Sequence, residues 1–242
     1  MTPPPDFFKT EKGQGKVFML LKSLYGLKQA PRQWFSRFSD SLLNFCFTQS
    51  LNYYSLFTYN KNGDFLALLV YVDDVILTGT SLTLIQQVKA YIHDLFRIKD
   101  LGSLRYFLGF EVARSSDGLF LNRRKYALEL ISKAGLLACK PSSIPMDSKH
   151  KLGLSTAPEL SDPTSYRRLV GQLIYLTNTR PDLAYSVHIL SQFMNKPTQD
   201  HLTTAHKVLR YLKGAPARGI FYPSNQQLTL EAYCDADWAA CP

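Results

Sequence analysis

Asp73 and Asp74 stand side by side inside "LVYVDDVILTG", residues 69–79, a stretch otherwise rich in Leu, Val, Tyr and Ile. Two adjacent carboxylates repel each other, and burying them beside apolar strands is costly unless something compensates. Either they lie in a wet turn or a cation belongs beside them. Mg²⁺, a hard, oxygen-seeking cation, suits such donors. Two such ions about 3.5–4 Å apart can clamp the attacking and leaving oxygens of a phosphoryl transfer. Asp is also common in solvated turns, and "DD" alone favours that reading. Set in "YVDD" between apolar strands on a basic chain, the pair favours the metal site.

Other residue types offer less. Cys46, Cys139, Cys234 and Cys241 are far apart and form no CxxC pair, which argues against a disulfide framework or a zinc site and for free thiols. The five histidines make no metal pattern either. His201 and His206 are five apart, wrong for one helical face, and read as surface or core polar residues.

The elements that must position the aspartates follow from periodicity. Phe65 to Val72 is a continuous apolar run, as in a buried central strand, and Val75 to Thr78 is a shorter one. "VDD" falls at the bend between them. Upstream, Ser55 to Tyr59 reads as a strand, and Asn62-Gly63 is a tight hairpin turn. A short strand is expected at Val17 to Leu21. "KSLYGLKQAPRQW" is a Gly-containing turn leading into a helix, with Pro31 in its first turn. Trp34, Phe35, Phe38, Leu42 and Phe45 recur at helical spacing, and the first two suit core packing better than base stacking.

Ser81 can cap a helix whose buried face is Leu82, Ile85, Val88, Ile92 and Leu95. Leu104 to Val112 and Gly118 to Asn122 read as two strands around "SSDG". A helix from Arg123 to Ala134 ends at Gly135. Arg123, Arg124 and Lys125 make a charge run that suits a solvated helix start or phosphate contact. Cys139 to Pro163, rich in Pro, Ser and Lys, reads as a connection between subdomains. Helical patterns follow at Pro163–Asn178, Asp182–Met194 and Gln199–Leu212, then strands at Gly219–Tyr222 and Leu228–Tyr233.

The chain has 242 residues, 45% of them hydrophobic, enough for one large domain or two small ones. Its net charge of +9 and pI of about 9.3 favour an acidic polymer as partner, nucleic acid before membrane surface. "MTPPPDFFKTEKG" has no apolar signal region, and no apolar run is long enough to span a membrane. An intracellular, soluble protein with no membrane partner is expected, in cytoplasm or nucleus.

The ordered motifs carry a family resemblance. "YVDD" in a strand–turn–strand resembles the catalytic hairpin of reverse transcriptases. "KSLYGLKQAPRQWFSRF" is similar to the segment after the first catalytic strand in copia-type retrotransposon polymerases. "KDLGSLRYFLGFEV", "TRPDLAYSV", "AHKVLRYLKG" and "YCDADWA" resemble later stretches of that family, in the same order. The chain thus resembles the reverse transcriptase region of a copia-type retrotransposon Pol polyprotein.

That resemblance implies an α+β fold: a polymerase palm-like antiparallel sheet backed by helices, a helical thumb or connection region, and the first strand of a ribonuclease H domain. The implied segments are a partial palm at 1–138, a linker at 139–163, the helical region at 164–218 and an incomplete ribonuclease H start at 219–242. Asp73 and Asp74 would be catalytic, metal-binding carboxylates for two Mg²⁺ ions, and Asp73 would serve both. Tyr71 and Val72 would hold the hairpin or face the primer terminus. Tyr25, Gly26 and Lys28 would lie under the template base and incoming nucleotide, Gly26 letting the backbone come close. Phe107, Leu108 and Gly109 would be the primer grip. Lys99 would protonate the pyrophosphate leaving group.

Partners implied are an RNA or DNA primer–template duplex and deoxynucleotides. The family also places a third aspartate on a strand upstream of "SLYGLKQAP", where this chain holds only Asp6 in "TPPPDFF". Asp235 would be the first metal ligand of a ribonuclease H site whose other ligands the sequence lacks. The isolated chain is therefore expected to lack polymerase and ribonuclease H activity. A non-catalytic nucleic-acid-binding remnant, or a decayed transposon open reading frame, are the alternatives.

Overall fold

The computed structural model describes residues 19–225 except 22, 25 and 149, together with 229 and 231–234. The fold is α+β, with two antiparallel sheets and several helices. The chain divides into two compact units, Met1–Gly102 and Ser103–Pro242. This break in packing comes earlier than residue 138, the expected end of the first segment.

In the first unit, α1 (Ala30–Asn44) precedes β1 (Thr48–Gln49), β2 (Leu56–Lys61), β3 (Asp64–Tyr71) and β4 (Asp74–Gly79), and α2 (Leu82–Phe96) follows. The strands form an antiparallel meander in the order β1-β2-β3-β4. Pro31 lies in the first turn of α1, and Ser81 caps α2 by accepting from the amide of Leu84. Both helices pack on one face of the sheet. Phe38 and Leu42 of α1 and Val88 and Ile92 of α2 meet Phe57, Leu66, Leu68 and Val70 of the sheet. Trp34 stacks on Phe38, 5.0 Å between centroids, and Phe35 packs against the same core.

β3 is not the doubly buried strand that its continuous apolar run suggests. Leu66, Leu68 and Val70 are buried, while Phe65 is exposed and Ala67 and Leu69 are half-buried. The alternation marks a sheet with one covered face. Residues 19–21 of the expected first strand are not in a strand, and residues 17 and 18 lie outside the described residues.

In the second unit, β5 (Tyr106–Phe107), β6 (Phe110–Arg114) and β7 (Gly118–Asn122) are joined by β8 (Ile220–Pro223), which returns from far along the chain to pair with β7. Leu104–Val112 is therefore not one strand: a turn at Leu108-Gly109 folds it back on itself. α3 (Arg124–Lys133), α4 (Pro163–Thr177), α5 (Ala184–Ser191) and α6 (Gln199–Gly214) share one core around Ile131, Tyr166, Leu173, Leu190 and Leu209. The helix expected over Asp182–Met194 is shorter, because Pro181 opens a 3-10 turn, Pro181–Leu183, ahead of α5. The described residues of the expected last strand, Leu228–Tyr233, are not in a strand.

The Pro- and Ser-rich stretch 139–163 is packed against the helices. Met146 and Leu152 are buried in the helical core. The amide of Ser142 donates to Arg210, that of Leu160 to Pro197, and that of Gln199 to Pro158. Two inward apolar side chains and these backbone bonds suffice to lay an otherwise polar segment along α6.

Candidate functional site

Tyr71 and Asp74 are directly paired across β3 and β4, so the hairpin turns through two residues, Val72 and Asp73. Val72 has φ +52°, in the left-handed region that β-branched residues avoid. A positive φ at the first turn residue alone is the pattern of a type II′ turn, where Gly is usual. Holding Val there costs on the order of 1–3 kcal/mol, and its exposed side chain gains no packing in return.

The register fixes which way the carboxylates face. Val70 pairs with Val75 and Leu68 with Leu77, all on the helix-covered face. Tyr71 and Asp74 therefore share the other face with Leu69 and Ile76. Tyr71, Val72, Asp73 and Asp74 are all exposed, which puts both carboxylates in water at one end of the sheet. Among the described residues neither aspartate makes an ion pair, and no cluster of three or more His, Cys, Asp or Glu forms. Two hard oxygen donors on a rigid bend fit a divalent cation in kind, and they make an incomplete set in number.

Gly26 lies in the turn before α1 with φ +87°, a conformation that calls for glycine. No atom lies within 4 Å of where its Cβ would be. The backbone there is open to an approaching molecule. Beside it runs a shallow groove lined by Leu20, Leu21, Ser23, Leu27 and Gln33. Lys28 is exposed in the same turn, and Tyr25 lies outside the described residues. Lys99 is exposed in the loop after α2; its neighbour Asp100, not Lys99, is engaged, by Lys89 at 3.0 Å and by the amide of Gly102. Those two donors, the amide first, hold the Asp100 carboxyl below its usual pKa. Among the described residues no ion pair joins Lys28 or Lys99 to Asp73 or Asp74.

Phe107, Leu108 and Gly109 are brought together at a second two-residue hairpin, in the other unit. Phe107 pairs with Phe110, and the turn residues Leu108 and Gly109 both have positive φ, +49° and +81°. That is the pattern of a type I′ turn. The Tyr175 hydroxyl, from α4, donates to the Leu108 carbonyl at 3.1 Å.

Arg123, expected in a solvated or phosphate-facing run, is instead 3% exposed. Its guanidinium lies 3.9 Å from the centre of the Phe110 ring and 3.6 Å from that of Tyr175. One nitrogen donates to the Tyr175 carbonyl at 3.2 Å, and Nε has no partner. Burial pushes its pKa down, partly opposed by Tyr175 and Tyr126; a guanidinium nonetheless keeps its charge. Arg124 and Lys125 are exposed, as expected of a helix start. The packing of Arg123 and Tyr175 against this hairpin is what sequence reasoning missed. No local signal marks them, since their contact spans 52 positions.

A cluster at the start of α6 resembles a catalytic constellation without being one. The Thr198 hydroxyl lies 3.0 Å from Nδ1 of His201, with Asp200 and Ser155 alongside. Yet Nδ1 already accepts the Thr198 amide at 2.8 Å, and Nε2 faces the Leu152 carbonyl at 3.2 Å. Nδ1 is committed to a buried capping box and Nε2 to the Leu152 carbonyl. His201 is a structural core histidine. Asp235, the expected ribonuclease H ligand, lies outside the described residues.

The sequence matches the family described as reverse transcriptase (RNA-dependent DNA polymerase) over residues 1–148. The Retrovirus-related Pol polyprotein from transposon RE1 of Arabidopsis thaliana is 43% identical over 99% of this chain, which spans 16% of that polyprotein. The corresponding polyprotein from transposon TNT 1-94 of Nicotiana tabacum is 32% identical over 97% of this chain and 18% of its own length. An uncharacterized mitochondrial protein of Arabidopsis thaliana is 44% identical over 72% of both chains. No solved structure matches.

Proposed function

The chain belongs to the reverse transcriptase family, in the copia-type retrotransposon Pol branch, and we propose that its β3–β4 hairpin is the metal-binding bend of an RNA-directed DNA polymerase. The observation that carries this reading is the position of Asp73 and Asp74. They are two water-exposed carboxylates without ion partners among the described residues, on a strained turn at the end of a sheet whose helices cover only the opposite face. In that reaction a primer 3′-hydroxyl attacks the α-phosphorus of a deoxynucleotide, and pyrophosphate leaves. Mg²⁺ would be held by Asp73 and Asp74 and would supply electrostatic stabilisation of the phosphoryl oxygens.

The other roles rest on the family's pattern together with local geometry. Tyr71 shares the uncovered face with Asp74 and offers its ring to the primer terminus, with Val72 holding the bend. The Gly26 turn leaves room for a nucleotide against bare backbone, with Lys28 beside it; Tyr25 is assigned to the same site by the pattern alone. Phe107, Leu108 and Gly109 form a rigid tip suited to gripping a primer backbone. Lys99, exposed to solvent, is the proposed proton donor to pyrophosphate. Residues 1–138 are assigned to the palm, and the helices within 164–218 to a thumb or connection region. Asp235 is assigned to a ribonuclease H stub. The partners are a primer–template duplex and deoxynucleotides. No helix among the described residues is long and apolar enough to cross a membrane.

A second reading is favoured by the carboxylate count. With no cluster of three metal-ligand types among the described residues, the chain can be a non-catalytic binder of nucleic acid. One experiment addresses both: primer–template binding across a salt series, and Mg²⁺-dependent primer extension, on the 242-residue chain and Asp73→Asn. Salt-steep binding without extension is expected. Extension lost in Asp73→Asn would show that the two carboxylates suffice, whereas extension that survives the substitution rules out the role of Asp73. Failure to bind duplex at low salt overturns both readings.

A further inference from the structure

Arg123 is an expensive residue where it stands. Its cation is buried, makes no ion pair among the described residues, and leaves Nε unsatisfied. Replacing a buried ion by a well-packed apolar side chain is often neutral or stabilising, so core packing alone does not account for an arginine. What an arginine adds is a flat, rigid slab with attraction for the ring faces above and below it. Here those rings are Phe110, the first residue after the Leu108-Gly109 turn, and Tyr175 on α4.

The Tyr175 ring is held as well. Tyr126 meets it edge-on at 5.5 Å, and the Tyr126 hydroxyl donates to Gln172 one turn away on α4. From that fixed position Tyr175 reaches the tip, donating its hydroxyl to the Leu108 carbonyl. A type I′ turn points that carbonyl away from its own ladder, so the hairpin cannot satisfy it internally. The stack and the hydroxyl therefore fix two separate points of the hairpin, Phe110 and Leu108, to one helix.

We propose that Arg123 and Tyr175 are positioning residues that brace the Leu108-Gly109 tip against α4 so that it presents a fixed backbone surface to the sugar–phosphate chain of a nucleic-acid duplex. The duplex half of this statement rests on the reading of the tip as a primer grip; the brace itself does not. Arg123 is enclosed and out of reach of nucleic acid, and the Tyr175 hydroxyl, on a partly exposed ring, donates to the Leu108 carbonyl.

Two variants that conserve net charge test it, Tyr175→Phe and Arg123→Lys. The first removes the hydroxyl and keeps the ring; the second keeps the charge and removes the slab. Amide hydrogen exchange over residues 104–112 should quicken about fivefold in Tyr175→Phe, the worth of one net hydrogen bond. It should quicken by more in Arg123→Lys, while exchange in α5 and α6 stays at the wild-type rate in both. Affinity for primer–template duplex should fall by a similar factor, with the slope of log affinity against log salt unchanged, because no phosphate-contacting charge is lost. Wild-type exchange at the tip in both variants overturns the brace. A loosened tip with unaltered duplex affinity overturns its role in gripping. A wild-type chain that binds no duplex overturns the polymerase reading, and the exchange data still decide the brace. A general loss of protection across the unit would show that these residues serve stability alone.

Discussion

The β3–β4 and β5–β6 hairpins each turn in two residues, and they are held in opposite ways. At Val72-Asp73 the strain sits on an exposed β-branched residue, and no hydrogen bond from outside the hairpin to either turn residue is seen among the described residues. At Leu108-Gly109 half the strain is removed by glycine, and a tyrosine from a distant helix ties down the carbonyl of the other half. A third turn, Asn62-Gly63, has φ +55° and +82° and carries the residues that such a turn prefers. The three form a series. Asn62-Gly63 relies on ordinary turn chemistry, Leu108-Gly109 adds a hydrogen bond from a distant helix, and Val72-Asp73 keeps its strain beside two exposed carboxylates; on the proposed reading the last two differences serve function.

The sharpest way to break this comparison is to disturb a strand instead of a turn. In Gly79→Ala the new Cβ would fall 2.3 Å from Leu66 Cδ2 and 2.5 Å from the Phe65 carbonyl. With backbone on one side, the clash should cost about 3 kcal/mol by overpacking, seen as a lower urea midpoint. A cost under about 1 kcal/mol would mean that β3 and β4 separate easily, and that the Asp73 turn is less rigid than described. Next come matched substitutions at the two glycines with the same φ. Gly63→Ala should cost about 1 kcal/mol and Gly109→Ala about 2, within the range for forcing an L-residue left-handed. The space at Gly109 is adequate, its nearest neighbour being the Tyr175 hydroxyl at 3.9 Å. Any excess therefore reports a tip that cannot relax, and equal costs would argue that the brace does not restrict it.

Val72→Gly is expected to stabilise the first unit by about 1 kcal/mol, as relief of strain outweighs the added freedom of the unfolded chain. A lower urea midpoint would instead assign the Val72 side chain a packing role that its exposure argues against. The smallest effect concerns acid. Burial lowers the pKa of His201, against bonding to the Leu152 carbonyl and the charge of Asp200; Thr198, Phe193 and Tyr166 also face the ring. The folded state therefore holds neutral His201 more firmly than the unfolded chain does. Its contribution is full above the unfolded value near pH 6.5 and is lost as pH falls below it. His201→Gln keeps an acceptor for the Thr198 amide and cannot take up a proton. The fall in urea midpoint between neutral and mildly acidic pH should be smaller in that variant; an identical fall would place the acid sensitivity elsewhere, as at His206, whose pKa burial also lowers.

Much of this arrangement can be seen in the residues themselves. "YVDD" locates the first hairpin because two charges interrupt the apolar runs, and the Asn-Gly pair locates its neighbour because it carries its turn chemistry in the turn. The second hairpin escapes because Leu108 stands where Asn or Gly would announce a turn, leaving "LRYFLGFEV" to read as one extended strand. Its compensation lies in Tyr175, on a helix that sequence periodicity finds without showing what its polar edge touches. Arg123 escapes for the same reason: in a run with Arg124 and Lys125 it looks solvated, and only the two rings far away in sequence make its burial tolerable. In the 139–163 stretch, composition reports the many polar residues, while Met146 and Leu152 decide where the segment lies.

The return of β8 to β7 bears on how the molecule is made. The first sheet is a meander of near neighbours in sequence, and such local contacts form early and fast. In the second, Leu119 waits for Tyr222, about a hundred residues later. During vectorial synthesis the first unit can fold while the second is still emerging. The edge of β7 meanwhile stays open, a template for any stray strand, until the helices between have been translated. That delay makes the second unit the place where nascent-chain misfolding should concentrate.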